Sequence, residues 1–94
     1  MIFSILVLEL RFDCCRSLKE KRSILKPLLH RLHKEFMVSA AEVDKNDLWN
    51  EAVVTCGLIS NERRAAEASL AAIPKFINKY FRDIEILSHS IRFI

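Results

Sequence analysis

Glycine is almost absent: Gly57 is the only one in 94 residues. That excludes a phosphate-cradling loop and a dinucleotide fingerprint, both of which need glycines where backbone meets phosphate. It also excludes a collagen-like repeat, and a chain that is 51% apolar is not disordered. Cysteines number three, an odd set with no framework spacing, which suits a reducing cytoplasm rather than a disulfide scaffold. Long hydrophobic runs are missing. The mainly apolar stretch Ile2–Leu8 is seven residues long, has no basic region before it and runs into Glu9 and Arg11. It is too short to span a membrane and has the wrong flanks for a signal peptide. No internal repeat, low-complexity segment or linker interrupts the chain. One domain over residues 1–94, large enough for a single hydrophobic core without disulfides, is expected.

What is present concentrates in Ser17–Phe36. Ser17 followed by Glu20 forms a capping box, in which each side chain satisfies a backbone N–H that a helix start leaves unpaired. Leu18, Leu25, Leu28, Leu29, Leu32 and Phe36 then recur at helical spacing as one apolar stripe, flanked by Ile24. Lys19, Lys26, His30, His33 and Lys34 fall on the opposite face, with Arg22 at its edge. Lys21 projects towards the apolar side and is expected to snorkel near the helix end. Pro27 removes one intrahelical hydrogen bond, so the stretch reads either as one bent helix or as a loop to Lys26 with a helix from Pro27. The capping box and the unbroken stripe favour one helix.

Charge is uneven. Arg16–Lys34 holds seven basic residues against Glu20, a balance of +6, so the rest of a chain of net charge +3 carries −3. Such asymmetry suits an anionic partner, although a solvated helix face explains it too.

Around this helix, Ile2–Phe12 reads as a strand that is apolar on both alternations, with Ile2, Leu6, Leu8 and Leu10 on one face and Phe3, Ile5 and Val7 on the other. Met37–Asp44 reads as an edge strand, Lys45–Trp49 as a turn in which Asp44, Asn46 and Asp47 bond their own backbone, and Glu51–Ser60 as a third strand. Gly57 marks a bulge or a close packing point. Ser60 or Asn61 caps a second helix whose buried stripe is Ala66, Leu70, Ile73, Phe76, Ile77 and Tyr80, with Pro74 off it. Asp83–Ile94 is a last strand whose alternation changes phase near Ser88, the mark of a bulge.

The order βαββαβ is that of the ferredoxin-like α+β fold: a four-stranded antiparallel sheet with two helices on one face. It brings the Asp13–Arg16 loop, the start of the first helix, the Asp44–Trp49 turn and the end of the second helix to one end of the sheet. The other sheet face stays uncovered and apolar, which predicts a homo-oligomer, most simply a two-fold dimer through sheet face or edge, the alternative being a monomer with scattered surface apolars.

The run SLKEKRSILKPLLHRLHKEF, followed by VSAAEVDKNDLWNEAVV, resembles the YlxP-like family, small bacterial proteins assigned to a domain of unknown function. The most specific parts are Ser17–Arg22 and Ala41–Asp44 with Asp47 and Trp49. The resemblance covers nearly the whole chain and implies a ferredoxin-like fold. Family members are often encoded beside translation-initiation and ribosome-maturation genes, which implies an association with RNA or ribosomes. It supplies no catalytic residue.

Two site readings follow. Lys19, Arg22, Lys26, His30, Arg31, His33 and Lys34 are the candidate nucleic-acid contacts, along the helix rather than the sheet, because Glu51–Ser60 has no aromatic for base stacking. Ser17, Lys19, Lys21, Arg22, Glu42, Asp44, Asp47 and Trp49 form a motif cluster at the sheet end. Lys19, Lys21 and Arg22 are expected to pair internally with its acids, and Trp49 to anchor the sheet end. Metal readings are the weaker class. Glu42, Asp44 and Asp47 could form an acidic cation site, but turn capping and ion pairs explain them better. Cys14, Cys15, His30 and His33 lack zinc-site spacing, and Cys56 reads as a small core residue. His89 has no relay partner. The function expected is a non-catalytic RNA- or ribosome-associated accessory factor, without cofactor or membrane. The runner-up is a protein-interaction module that oligomerises through its apolar sheet face, with a metal-dependent enzyme a distant third.

Overall fold

The β-branched and leucine-rich start of the chain forms β1 (Ile2–Phe12) in a computed structural model that describes residues 1–94. It is followed by α1 (Leu18–Phe36), β2 (Ser39–Asp44), β3 (Glu51–Ser60), α2 (Arg63–Tyr80) and β4 (Ile84–Phe93). The strands make one antiparallel sheet in the order β2-β3-β1-β4, the ferredoxin-like arrangement expected from the sequence.

Alternation along β1 places Leu6, Leu8, Leu10 and Phe12, all buried, against the helices. They join Val54 and Cys56 from β3, Leu25, Leu28 and Leu32 from α1, and Leu70, Ile73 and Ile77 from α2 in one core. The other alternation of β1 lies on the sheet face expected to stay uncovered: Ile5 and Val7 are half-buried and Phe3 is exposed. Val53, Thr55 and Gly57 share that open face, since each pairs with a β1 residue of the same alternation.

Helix α1 runs unbroken through Pro27, which lies exposed. Its start is a modified capping box. The Ser17 hydroxyl accepts the Glu20 N–H at 3.1 Å, while the Glu20 carboxylate reaches one residue further back, to the Arg16 N–H at 2.8 Å. At the other end Met37 takes a left-handed backbone (φ 55°) and donates its N–H to the His33 carbonyl, so β2 starts at Ser39 rather than Met37.

Three details of the second half differ from expectation. Glu62, not Ser60 or Asn61, is the cap residue of α2, without a side-chain bond. The Ser60 hydroxyl instead accepts the Glu62 N–H at 3.0 Å and holds the preceding loop. Pro74 is buried while Tyr80 is 52% exposed, because the helix rotates its core stripe towards Pro74 at its C-terminal end. Bulges sit in both edge strands. The β1–β4 register slips between Glu9 and Leu10, leaving Leu87 unpaired beside Ser88, at the phase change in the sequence alternation. The β2–β3 register slips between Glu42 and Asp44, leaving out Val43. Gly57 is not a bulge. It is a close packing point: the Phe3 ring lies 3.4 Å from where a β-carbon would stand, at van der Waals contact.

Candidate functional site

The first site is built on Lys21. Its place on the apolar side of α1 does not lead to snorkelling: the residue is 1% exposed, and its ammonium is enclosed by three oxygens. Nζ donates to Glu42 Oε2 at 2.8 Å, to the Glu51 carbonyl at 3.0 Å and to the Lys45 carbonyl at 3.1 Å. An ammonium has three protons, and all three are used. Lys21 therefore ties the first turn of α1 to both strands of the β2–β3 hairpin. The sequence places Lys21 and Glu42 at this end of the sheet, but the two carbonyls cannot be read from residue types.

The rest of the motif cluster does not converge on that point. Ser17 is the helix cap. Asp44 accepts the N–H of Lys45, whose left-handed backbone (φ 60°) turns the chain. Asn46 donates to the second Glu42 oxygen at 3.4 Å. Asp47 is exposed without a partner, and Trp49 is 46% exposed rather than an anchor over the sheet end. The Val43 bulge explains why Glu42 and Asp44 do not share a face: Glu42 pairs with Val54 on the core side, and Asp44 with Val53 on the open side. Next to them lies a pair that sequence reasoning missed, Lys45 Nζ to Glu51 Oε1 at 2.7 Å. Its hydrogen bond and charge hold the Glu51 carboxyl below and the Lys45 ammonium above their ordinary values. At the same end Glu85 raises Arg11 in the same way, through a 2.8 Å bond. No group of three His, Cys, Asp or Glu side chains stands where it could hold a metal ion.

The second site is the outer face of α1. Lys19, Arg22, Lys26, His30, His33 and Lys34 are all exposed there. None of Lys19, Arg22, Lys26 and Lys34 meets a carboxylate. The expected internal pairing of Lys19 and Arg22 is therefore absent, and the free ridge is longer than its sequence suggested. At about 1.5 Å per residue, Lys19 to Lys34 spans roughly 22 Å. Two members are partly committed. His33 donates its Nδ1 proton to the Val38 carbonyl at 2.8 Å. Arg31 leaves the ridge altogether: its guanidinium lies 4.9 Å from the Phe76 ring centre and 5.2 Å from that of Tyr80, beside Glu35 at 3.7 Å.

The second helix adds to this charge. With six basic and two acidic residues α1 carries +4, and with four against one α2 carries +3. The helix layer thus holds +7 and everything else −4. The open sheet face has Glu9 and Glu51 on its central strands and Phe3 as their sole outward aromatic, the wrong surface for a nucleic acid.

The cysteines show no catalytic arrangement. Burial pushes the Cys15 thiol up to about 11, with Cys14 adding to the shift, and the Cys56 thiol up to about 12. Cys14 alone is exposed. Iodoacetamide at pH 8 is therefore expected to modify one thiol per native chain and three in denaturant, counted by mass; rapid loss of two or more native thiols would contradict the packing.

Comparisons agree with this picture. The designed protein LFR1 1, solved by NMR as a ferredoxin fold, matches all of the chain over 84% of its own, with a TM-score of 0.54 at 10% identity, a likeness of fold alone. The chain is 34% identical over 64 residues to the uncharacterized protein YlxP of Bacillus subtilis (strain 168), covering 68% of this chain and 70% of that protein. Residues 3–91 match the family described as "Protein of unknown function (DUF503)". With the βαββαβ order in place, the chain belongs to the DUF503 family, the YlxP-like proteins of unknown function.

Proposed function

We propose that this protein is a non-catalytic, cytoplasmic accessory factor that binds RNA, free or in ribosomal particles, through the outer face of α1. One observation carries the reading: Lys19, Arg22, Lys26 and Lys34 line one helix face, exposed and without acidic partners, on the layer that holds +7. A row of free cations about 22 Å long matches a phosphate backbone, whose binding rests on released counterions rather than on a shaped pocket. No helix is long and apolar enough to cross a membrane. The test is co-sedimentation with ribosomal subunits across a salt series, with and without nuclease. Binding that falls with salt and disappears after nuclease is expected; binding that survives both, or no binding at low salt, removes the reading.

A second reading, a module that works by oligomerising through its open sheet face, is favoured by Phe3 and Ile59. They are 41% and 68% exposed side by side on neighbouring strands.

A further inference from the structure

Resting on that second reading, we infer that the occupant of the open sheet face is a second copy of this chain, related by a two-fold axis that runs parallel to the strands between β1 and β3. Polarity along the face selects the axis. From one end to the other, the β1–β3 pairs are Phe3 with Ile59, Ile5 with Gly57, Val7 with Thr55, Glu9 with Val53 and Arg11 with Glu51. On the two central strands apolar residues gather at the first end, where Phe3, Ile59, Met37 and Gly57 also line a hollow of about 370 Å³, with Arg92 of β4 at its margin beside Ile5. Charged residues gather at the second, already engaged in pairs: Arg11 with Glu85, Lys45 with Glu51, and Glu9 with the Ser88 hydroxyl.

An axis across the strands would lay Phe3 and Ile59 of one copy on Arg11 and Glu51 of the other, stripping water from charges without supplying partners. An axis along the strands lays like on like. It seats β1 of one copy over β3 of the other, so Phe3 faces Ile59 and Arg11 faces Glu51 of the second copy. Charge also selects the face. Two +7 helix layers repel each other, and joining the sheets places them on opposite outer sides, leaving both α1 ridges free. Area is sufficient but small. Strands of eleven, six, ten and ten residues, about 3.3 Å per residue and about 4.8 Å apart, offer about 600 Å² per copy. The total of about 1,200 Å² is at the lower limit for a stable specific interface.

The test uses the full chain. Sedimentation equilibrium is expected to give a monomer–dimer equilibrium in the micromolar range. Ile59→Lys, a change at an exposed position that leaves the fold intact by circular dichroism, is expected to raise the dissociation constant at least tenfold. Phe3→Ser is expected to act in the same direction. A nitroxide on the exposed Cys14 reads the axis, because Cys14 lies just beyond the charged end of β1. With the axis along the strands, both labels sit at one end of the dimer, within about 30 Å; with the axis across them, they stand more than about 40 Å apart, twice the seven-residue run from Val7. A monomer at high concentration overturns both the self-association and the arrangement. Dimerisation unaffected by Ile59→Lys overturns the face, and a distance above 40 Å overturns the axis alone.

Discussion

Lys21→Ala is expected to be the most damaging single substitution of a charged residue in this protein, costing about 3–5 kcal/mol of unfolding free energy. The wild-type ammonium is 1% exposed and fully bonded to three oxygens. Removing it leaves the Glu42 carboxylate, 15% exposed, without its cation, and the Lys45 and Glu51 carbonyls without their donor. A domain of this size has about 5–15 kcal/mol in total, so the variant should be close to its folding limit at 25 °C. Glu42→Ala should be comparably harmful, because it strands the buried ammonium. Lys21→Met combined with Glu42→Leu should recover a large part of the loss, since neither charge then lacks its partner. Denaturant unfolding with an unchanged slope checks this. A loss below about 1 kcal/mol for Lys21→Ala, the size of an exposed ion pair, would show that the three-oxygen cup does not carry the hairpin.

Reversing two charges on the α1 ridge, Lys26→Glu with Lys34→Glu, is expected to leave stability within about 0.5 kcal/mol, because both side chains are exposed and unpaired. The same double change converts two of four free cations into anions. RNA affinity at low salt should therefore fall by about 100-fold if these residues contact phosphates. The two predictions separate the roles that one basic stretch combines. Lys21 acts on folding, and Lys26 and Lys34 act on the partner. Equal RNA affinity for the double variant and the wild type would remove the ridge as an interface.

The fold was legible in the sequence because its signals are local and redundant: a capping box, a leucine stripe through Pro27, and two-sided alternation in β1 that marks a central strand. The Leu87 bulge was legible as well, because a slip of register moves apolar residues to the other face. The motif cluster was legible only in part. Lys21 was marked by its place on the apolar stripe, yet what holds it is mainly backbone carbonyl, and no residue type announces a carbonyl. The Val43 bulge, which turns Asp44 away from Glu42, leaves no pattern in a strand of six residues. Tyr80 and Pro74 exchanged places because helical spacing at a helix end cannot say which of two flanking residues the core will take. Arg31 counts among the candidate contacts by its charge, but its aromatic partners, Phe76 and Tyr80, come from the other helix, beyond the reach of any local pattern.

The most direct test of the central claim is the salt dependence of binding to a single-stranded RNA oligonucleotide, measured for the wild type and for Lys26→Glu with Lys34→Glu. Four phosphate contacts at a slope of about −0.7 each give a log–log slope near −3 for the wild type and a clearly shallower one for the variant. A slope near zero, or the same slope for both proteins, would contradict an RNA-binding ridge on α1.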